Sequence, residues 1–567
     1  MMSKIEIICK NTGIRKEYPI GITLAEIAKD QNIQLEDDIL AARVNNSLRE
    51  LSFELFKPKT VEFIDIHDPM GYAMYMRSMI FIMFKAARDL WPESTLKVEH
   101  TLPLGTYCEL IGIQGKLSLS MVIQLRKRVQ EIIDEDLPIT RRQIPTTEAI
   151  EVFKQNRLYE KVLLFQTRNE LYTSVYSIGN VSNYFYGYLV PSTGYIKHFH
   201  IDRYFGNGLI AIRPDLNETV GKDTKRFLSD MVKAACQGGS KLFKTFQEQK
   251  DWLEIMGVPY VGNLNRILQQ EGAGRLIKLS EALQEKKIAS IADAVAKKAD
   301  CRIVLISGPS SSGKTTFCKR LSIQLQVLGY STAEISLDDY FVDREKTPRD
   351  ANGDYDFECL EAIDREFFNQ QLQQILNVQK ETEIKMPVYD FKVGVRRMDK
   401  KIRVSPKTIV LVEGIHGLNP ALTDLDSRFT FKIFVSALTH ISIDTQNPVS
   451  STDNRLIRRM VRDSKFRGNS ALATLDRWPS VRRGENKNIF PYQEQADVMF
   501  NSALLFELGV LKQDAEALLR AIPENSEHYG EAHRLLKFLS YFLPIEEKEI
   551  PPTSILREFL GGSSFVY

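Results

Sequence analysis

Cys301-Arg302-Ile303-Val304-Leu305-Ile306-Ser307-Gly308-Pro309-Ser310-Ser311-Ser312-Gly313-Lys314-Thr315-Thr316 decides the reading of this chain. An apolar strand, Arg302 to Ile306, runs into G-x-x-x-x-G-K-[ST], and Phe317, Leu321, Leu325 and Leu328 then repeat at helical spacing up to Gly329. Glycines let backbone N–H groups wrap an anion, and the helix N-terminus adds partial positive charge. Lys314 can reach terminal phosphates, and the Thr315 hydroxyl can ligate Mg2+. The stretch predicts a nucleotide site cradled by Gly308, Pro309, Ser310, Ser311, Ser312, Gly313, Lys314, Thr315 and Thr316.

Outward from this loop, residues 301–503 alternate apolar runs with helical stretches: Glu334 to Leu337, Thr408 to Val412, Phe431 to Val435 and Val498 to Phe500. That alternation predicts a parallel sheet covered by helices. Two acids stand where such a sheet delivers side chains to a ligand crevice. Asp338 follows the second strand and could take a proton from an acceptor hydroxyl, with Asp339 as its weaker rival. Glu413 ends a buried strand, as a Walker-B-like Mg2+ ligand would. Between Asp453 and Lys487, ten Lys or Arg face four acids, a local net charge of +6. Arg455, Arg459 and Arg462 share one helical face, which suits a basic lid over a moving phosphate; a solvated helix or an RNA-facing patch is the alternative.

The whole chain sets the bounds. Its 567 residues suggest three or four domains, and 43% hydrophobic with 26% charged residues is an ordinary globular composition. Seventy-five Lys plus Arg against 73 Asp plus Glu offer no overall attraction to nucleic acid or membrane. Six cysteines without CxxC spacing (Cys9, Cys108, Cys236, Cys301, Cys318, Cys359) read as reduced, buried thiols. Glu6 interrupts any signal-peptide core and nothing approaches the ~18 apolar residues of a membrane span, so a cytoplasmic protein is expected.

The N-terminal part reads as α+β. Residues 4–9 alternate as a strand, Asn11-Thr12-Gly13 turns, Thr23 to Glu26 forms a capping box, and strands follow at Ala42 to Val44 and Val61 to Ile66. A helix is expected over Ala73 to Leu90 and an amphipathic one over Ser118 to Glu135. His198 and His200 could share a strand face as metal ligands, though no third ligand follows at recognisable spacing. Residues 216–300 look helical, with breaks at Gly238-Gly239 and Gly272 to Gly274, and the tail 504–567 is helical until Pro551-Pro552 and has no assignable chemistry.

On GPSSSGKTT (308–316), SLDDYF (336–341), YDF (355–357), PVYDF (387–391), VEG (412–414) and DNRLIRRMVRD (453–463), residues 301–503 resemble the uridine kinase family of P-loop nucleoside kinases, relatives of phosphoribulokinase. The resemblance implies ATP and Mg2+ as cofactors and Asp338 as base for a nucleoside 5′-hydroxyl. It makes Thr315, Asp338 and Glu413 Mg2+ ligands, and Lys314, Arg459 and Arg462 catalytic. Asp356 would hold the ribose, Tyr389 and Phe391 would line the base pocket, and Arg467 would complete the lid. Two positions depart from the pattern: Gly394 stands where a base-contacting histidine is expected, and Asn469 where a second lid arginine is expected. On LPLGTYCEL (102–110), LPITRRQI (137–144) and VPSTGYIKHF (190–199), the N-terminal part resembles threonyl-tRNA synthetase. The resemblance implies a TGS-type β-grasp domain at 1–68 and an α+β editing-like domain at 69–215. Arg77, Phe81, Phe185 and Leu189 occupy the positions of that domain's metal-type residues, so editing hydrolysis is not expected.

The resulting organisation is multidomain α/β and α+β: 1–68, 69–215, a helical connector 216–300, a P-loop kinase domain 301–503 and a helical extension 504–567. The leading expectation is phosphotransfer to a nucleoside. Alternatives are a kinase of another small alcohol such as a sugar phosphate, or an RNA-binding regulator switched by ATP. The synthetase-like half implies RNA or small-ligand contact, no membrane partner is expected, and the oligomeric state, a homo-oligomer included, stays open.

Overall fold

The computed structural model describes residues 4–102, 104–212, 232, 240–350, 353–391, 393–439 and 441–567. Five parallel strands form the sheet beside the phosphate loop, in the order Ser331–Ser336, Thr408–Glu413, Ile303–Ser307, Thr430–Ser436, Val498–Asn501. Ile303–Ser307 and Thr408–Glu413 are buried aliphatic runs and Thr430–Ser436 is buried but for Lys432, as a sheet covered on both faces requires. Register pairs Ile306 with Glu413, and Glu413 with Ser336, so the loop, Glu413 and the residues after Ser336 leave the sheet at one level. The second strand starts and ends earlier than its apolar pattern suggests, and Leu337–Tyr340 turns into a 3-10 helix that carries Asp338.

At the N-terminus, strands Arg15–Pro19, Lys4–Cys9, Lys59–Ile64, Ala41–Val44 and Ser47–Glu50 form one mixed sheet, in that order. One short helix, Leu24–Asp30, packs on it. Thr23 and Glu26 cap that helix reciprocally, as their spacing predicts. The next helix starts at Pro69 and not at Ala73, because the Asp68 carboxylate accepts the Met70 N–H and Pro69 suits the first turn. Leu119–Asp134 is helical, capped by Ser118. Phe81, Phe185 and Leu189 are buried, with the two rings 5.2 Å apart, so apolar packing fills the editing-type positions. His200 is buried beside Asp202, 3.7 Å away, on the run into strand Ile201–Arg203.

The described part of the connector is helical at Lys241–Ile255, Val261–Gln270 and Gly274–Lys297; Gly238-Gly239 and Cys236 lie outside the described residues. The five other cysteines are free and buried. Among the described residues no helix is long and apolar enough to cross a membrane.

The two halves are interlocked by a short hairpin, Ser442–Asp444 with Asn447–Pro448, that follows the strand Thr430–Ser436 of the five-stranded sheet. Its Thr445 carbonyl accepts the Val98 N–H at 2.7 Å, Gln446 donates to the Leu96 carbonyl at 2.7 Å, and Asn447 donates to the Tyr184 carbonyl at 3.1 Å. Asp444 pairs with Lys161 at 2.5 Å, both side chains fully buried. One contiguous apolar core accordingly runs from Leu40 through Val435 to Leu560.

Candidate active site

The phosphate loop is held open by its neighbours. A Cβ on Gly308 would stand 1.9 Å from the Val435 carbonyl, so no other residue fits there. Ser311 adopts a left-handed φ of 57°, and among the described residues its hydroxyl and that of Ser312 are buried without a hydrogen-bond partner. Unsatisfied buried hydroxyls beside a helix N-terminus suit an incoming phosphate. Lys314 Nζ rests 3.1 Å from the Pro309 carbonyl, and the Ser310 N–H donates to Glu485.

Three carboxyls gather around Lys314. Burial pushes Glu413 up to about 7, with Lys314 opposing and Asp338 adding to the rise. Glu358 is likewise pushed up to about 7 by burial, with Glu485 and Asp338 adding to the rise and Arg459 and Lys314 opposing it. Asp338 opens to solvent at the mouth of the cleft yet is crowded by protein from beneath. Desolvation raises it above the ordinary aspartate range against the pull of Lys314, Arg467 and Arg462. Acids lifted in this way around a single ammonium are suited to a divalent cation. Among the described residues no three of them converge into an all-protein metal cage; Mg2+ characteristically binds through one or two carboxylates plus substrate phosphates and water. Thr315, Asp338 and Glu413 could supply those protein ligands.

The arginine segment is less open than its charge suggests. Arg455 and Arg458, on the helix Ser451–Arg467, are buried and paired with Glu485 and Glu507. Both also reach the loop: Arg455 donates to the Ser310 carbonyl at 3.1 Å and Arg458 to the Ser311 carbonyl at 3.4 Å. The +6 stretch is therefore in part an internal brace. Arg459, Arg462 and Arg467 gather on one acid, Asp463, which accepts from Arg462 at 2.7 Å and lies 3.3 Å from Arg459 and 3.6 Å from Arg467. Arg459 also donates to the Ser310 hydroxyl at 2.8 Å. Arg467 keeps 55% of its side chain exposed and faces Asp338 electrostatically.

Beyond Asp338 lies an aromatic wall. Tyr389 is buried, with its ring 5.0 Å from Phe391 and 5.6 Å from Phe341, which touches Phe357 at 5.5 Å. Phe391 is 55% exposed at the edge of this cluster. Asp339 is occupied with structure, accepting the Tyr389 N–H at 3.2 Å. Asp356 turns back onto its own loop to accept the Glu358 N–H at 3.0 Å, and it is Glu358 that sits with Asp338 and Lys314. Gly394 has a left-handed φ of 80°, and a Cβ there would strike Arg344 at 2.8 Å. A guanidinium is thus packed beside the position where the resemblance leads one to expect a histidine.

The C-terminal tail, which looks chemically silent in sequence, reaches this site. The Glu558 carboxylate accepts the Thr316 N–H at 3.2 Å and the Thr316 hydroxyl at 2.7 Å, and the Tyr567 hydroxyl adds a 2.8 Å contact. Ile555 stands 2.6 Å from where a Gly313 Cβ would be. Sequence reasoning gave no role to Glu358, Asp463, Glu485 and Glu558; the YDF motif lay beside Glu358 and DNRLIRRMVRD ended on Asp463.

This frame of loop, strand-end acids and arginine helix is accompanied by a family match. Residues 303–505 match the model of the Phosphoribulokinase / Uridine kinase family. The region is that of a P-loop kinase. Among solved structures, the chain is similar to one described as a possible uridine kinase from Bacillus stearothermophilus, at 20% identity and a TM-score of 0.25, over 38% of this chain and 98% of that one. The N-terminal region is similar to threonine--tRNA ligases. That of Desulforamulus reducens is 27% identical over 194 residues, 34% of this chain and 30% of the relative. That of Thermotoga maritima is 29% identical over 191 residues, 33% of this chain and 29% of the relative. The chain spans about 30% of the length of these relatives.

Proposed function

We propose that the protein transfers the γ-phosphoryl group of ATP to the 5′-hydroxyl of a nucleoside. The observation that carries this reading is the gathering of Asp338, Glu358 and Glu413 around Lys314 at the mouth of the loop, with an aromatic wall beside them. Asp338 accepts the hydroxyl proton as the 5′-oxygen bonds to phosphorus and the bridging oxygen leaves with ADP. The backbone from Gly308 to Thr316 and Lys314 hold the donor phosphates. Arg459 and Arg462 face the charge that develops on the moving group, and Arg467 closes over the acceptor side. Bound Mg2+, held by Thr315, Asp338 and Glu413, would neutralise phosphate charge. Glu358 is better placed than Asp356 to accept hydrogen bonds from the sugar. Tyr389 and Phe391, with Phe341, offer flat surfaces to a base.

A second reading, a sugar phosphate as acceptor, is favoured by Arg344, whose guanidinium packs beside Gly394 and donates to the Phe391 carbonyl. We further read residues 1–68 as a TGS-type unit and 69–215 as an editing-like shell that binds RNA or a small ligand.

The test is ATP consumption with Mg2+ across ribonucleosides, deoxyribonucleosides and sugar phosphates, comparing the parent with Asp338→Asn. One nucleoside turned over, with loss of about 10²-fold or more in the variant and ATP binding retained, supports the proposal. Turnover of sugar phosphates alone selects the second reading. ATP binding without any turnover makes the loop a switch and ends both.

A further inference from the structure

Away from the kinase cleft, four chain segments meet around Tyr188. Arg77 donates to the Tyr188 carbonyl from Nε at 3.2 Å and Nη2 at 3.1 Å. Arg49 donates to the Tyr188 hydroxyl at 3.3 Å, and the Arg141 guanidinium lies over the Tyr188 ring, 5.2 Å from its centroid. The helix Tyr529–Leu539 packs against the strand Ser47–Glu50 and brings Lys537 to the same place. Among the described residues, the Lys537 amine has neither an ion pair nor a hydrogen bond.

Charge at this junction does not balance. Glu50 is the carboxylate facing Arg141 and Lys537, 3.3 Å from Arg141 and accepting from the Tyr176 hydroxyl at 2.9 Å. The remaining neighbours are already matched: Arg168 pairs with Glu170 at 2.6 Å, and Arg534 with Asp453 at 2.7 Å and Glu531 at 2.6 Å. His533 is held towards its neutral form by burial, Arg49 and Lys537. Lys537 opens to solvent, yet protein crowding it from beneath, followed by Arg141 and Arg168, pushes its amine down to about 8. Like charges gathered at one place repel, and Arg77 satisfies its donors on a carbonyl where a carboxylate would be the ordinary partner.

We infer that this junction is a binding site for a small phosphorylated ligand, gripped by Arg49, Arg77, Arg141 and Lys537. A phosphate supplies what the junction lacks: up to two negative charges and several acceptor oxygens for guanidinium forks and an ammonium. The cations come from elements that pack on one another, with Gly530 directly against the Asn46 carbonyl, which suits a compact ligand held at a junction and not a polymer laid across a face. Because Lys537 belongs to the C-terminal part and Arg49 and Arg77 to the N-terminal part, occupancy ties the two together.

The test is amine acylation of the full-length protein at about pH 8, read lysine by lysine by peptide mass spectrometry, with inorganic pyrophosphate as probe. Lys537 should react faster than the other surface lysines, since a larger share of it is deprotonated. Pyrophosphate at about ten times its dissociation constant should slow that reaction about tenfold. Arg77→Gln, or Arg49→Gln should the first fold poorly, should abolish protection at Lys537 while leaving protection at Lys314 intact. Lys314 thereby reports the kinase reading separately. Protection of Lys314 but not Lys537 by millimolar pyrophosphate overturns the inference, as does unchanged protection in both variants. Protection of Lys537 by a short RNA but not by pyrophosphate overturns it in favour of a polymer.

Discussion

Glu358 and Glu413 hold protons that ordinary glutamates release, and this has a sign. Each carboxyl is raised to about 7, so between the ordinary glutamate range and about pH 7 the folded state binds more protons than the unfolded state. Stability from these groups is fully present below the unfolded value and is lost as pH rises through 7. The melting temperature of the nucleotide-free protein should therefore fall from about pH 5 to about pH 7, and Glu358→Gln with Glu413→Gln should flatten that fall. A slope unchanged by the pair of substitutions would show that other groups carry it. Gly308→Ala belongs to the same scale: its new Cβ meets the Val435 carbonyl, so the loop must shift, and equilibrium dialysis should show ATP binding lost. The loop and Glu413 were legible in sequence because both sit on local signals, a spaced motif and an acid ending an aliphatic run. Glu358 was not, since it lies in an irregular stretch where no periodicity indicates which of two neighbouring acids faces the cleft.

At the scale of elements, the helix after the phosphate loop presents its first turn to a carboxylate of the chain's own. Glu558 bonds the Thr316 N–H and hydroxyl, groups that a donor phosphate would also seek at a helix N-terminus. Glu558→Gln should weaken that hold. Hydrogen bonds to charged groups contribute about 1.5–3 kcal/mol, so ATP affinity measured calorimetrically should rise by about tenfold or more. Weaker ATP binding in the variant would make the segment a wall of the donor pocket instead. The helix Ser451–Arg467 teaches the complementary lesson about reading charge. Its spacing was plain in sequence, but whether an arginine is lid or brace depends on Glu485 and Glu507, which lie 30 and 49 residues further along the chain and come beside it only in the fold.

At the scale of the molecule, the Lys161–Asp444 pair joins the halves through fully buried charges. Lys161→Met leaves Asp444 buried and uncompensated, a loss of about 3–5 kcal/mol. The denaturation midpoint should drop, and synthetase-like and kinase-like signals should lose stability together. Loss in only one half would show that they unfold independently. The strands of both halves could be read from alternation and apolar runs, yet their union could not, because a two-stranded hairpin reaching across hundreds of residues leaves no local pattern.

That hairpin also bears on ancestry. Domains joined by a tether can be exchanged, duplicated or lost one at a time, but here Val98, Leu96 and Tyr184 supply backbone partners to Thr445, Gln446 and Asn447. Deleting either half would strand the polar groups of the other in an apolar seam. The seam is thus not modular, and a chain that discards the synthetase-like portion would have to rebuild this edge of its kinase-like half.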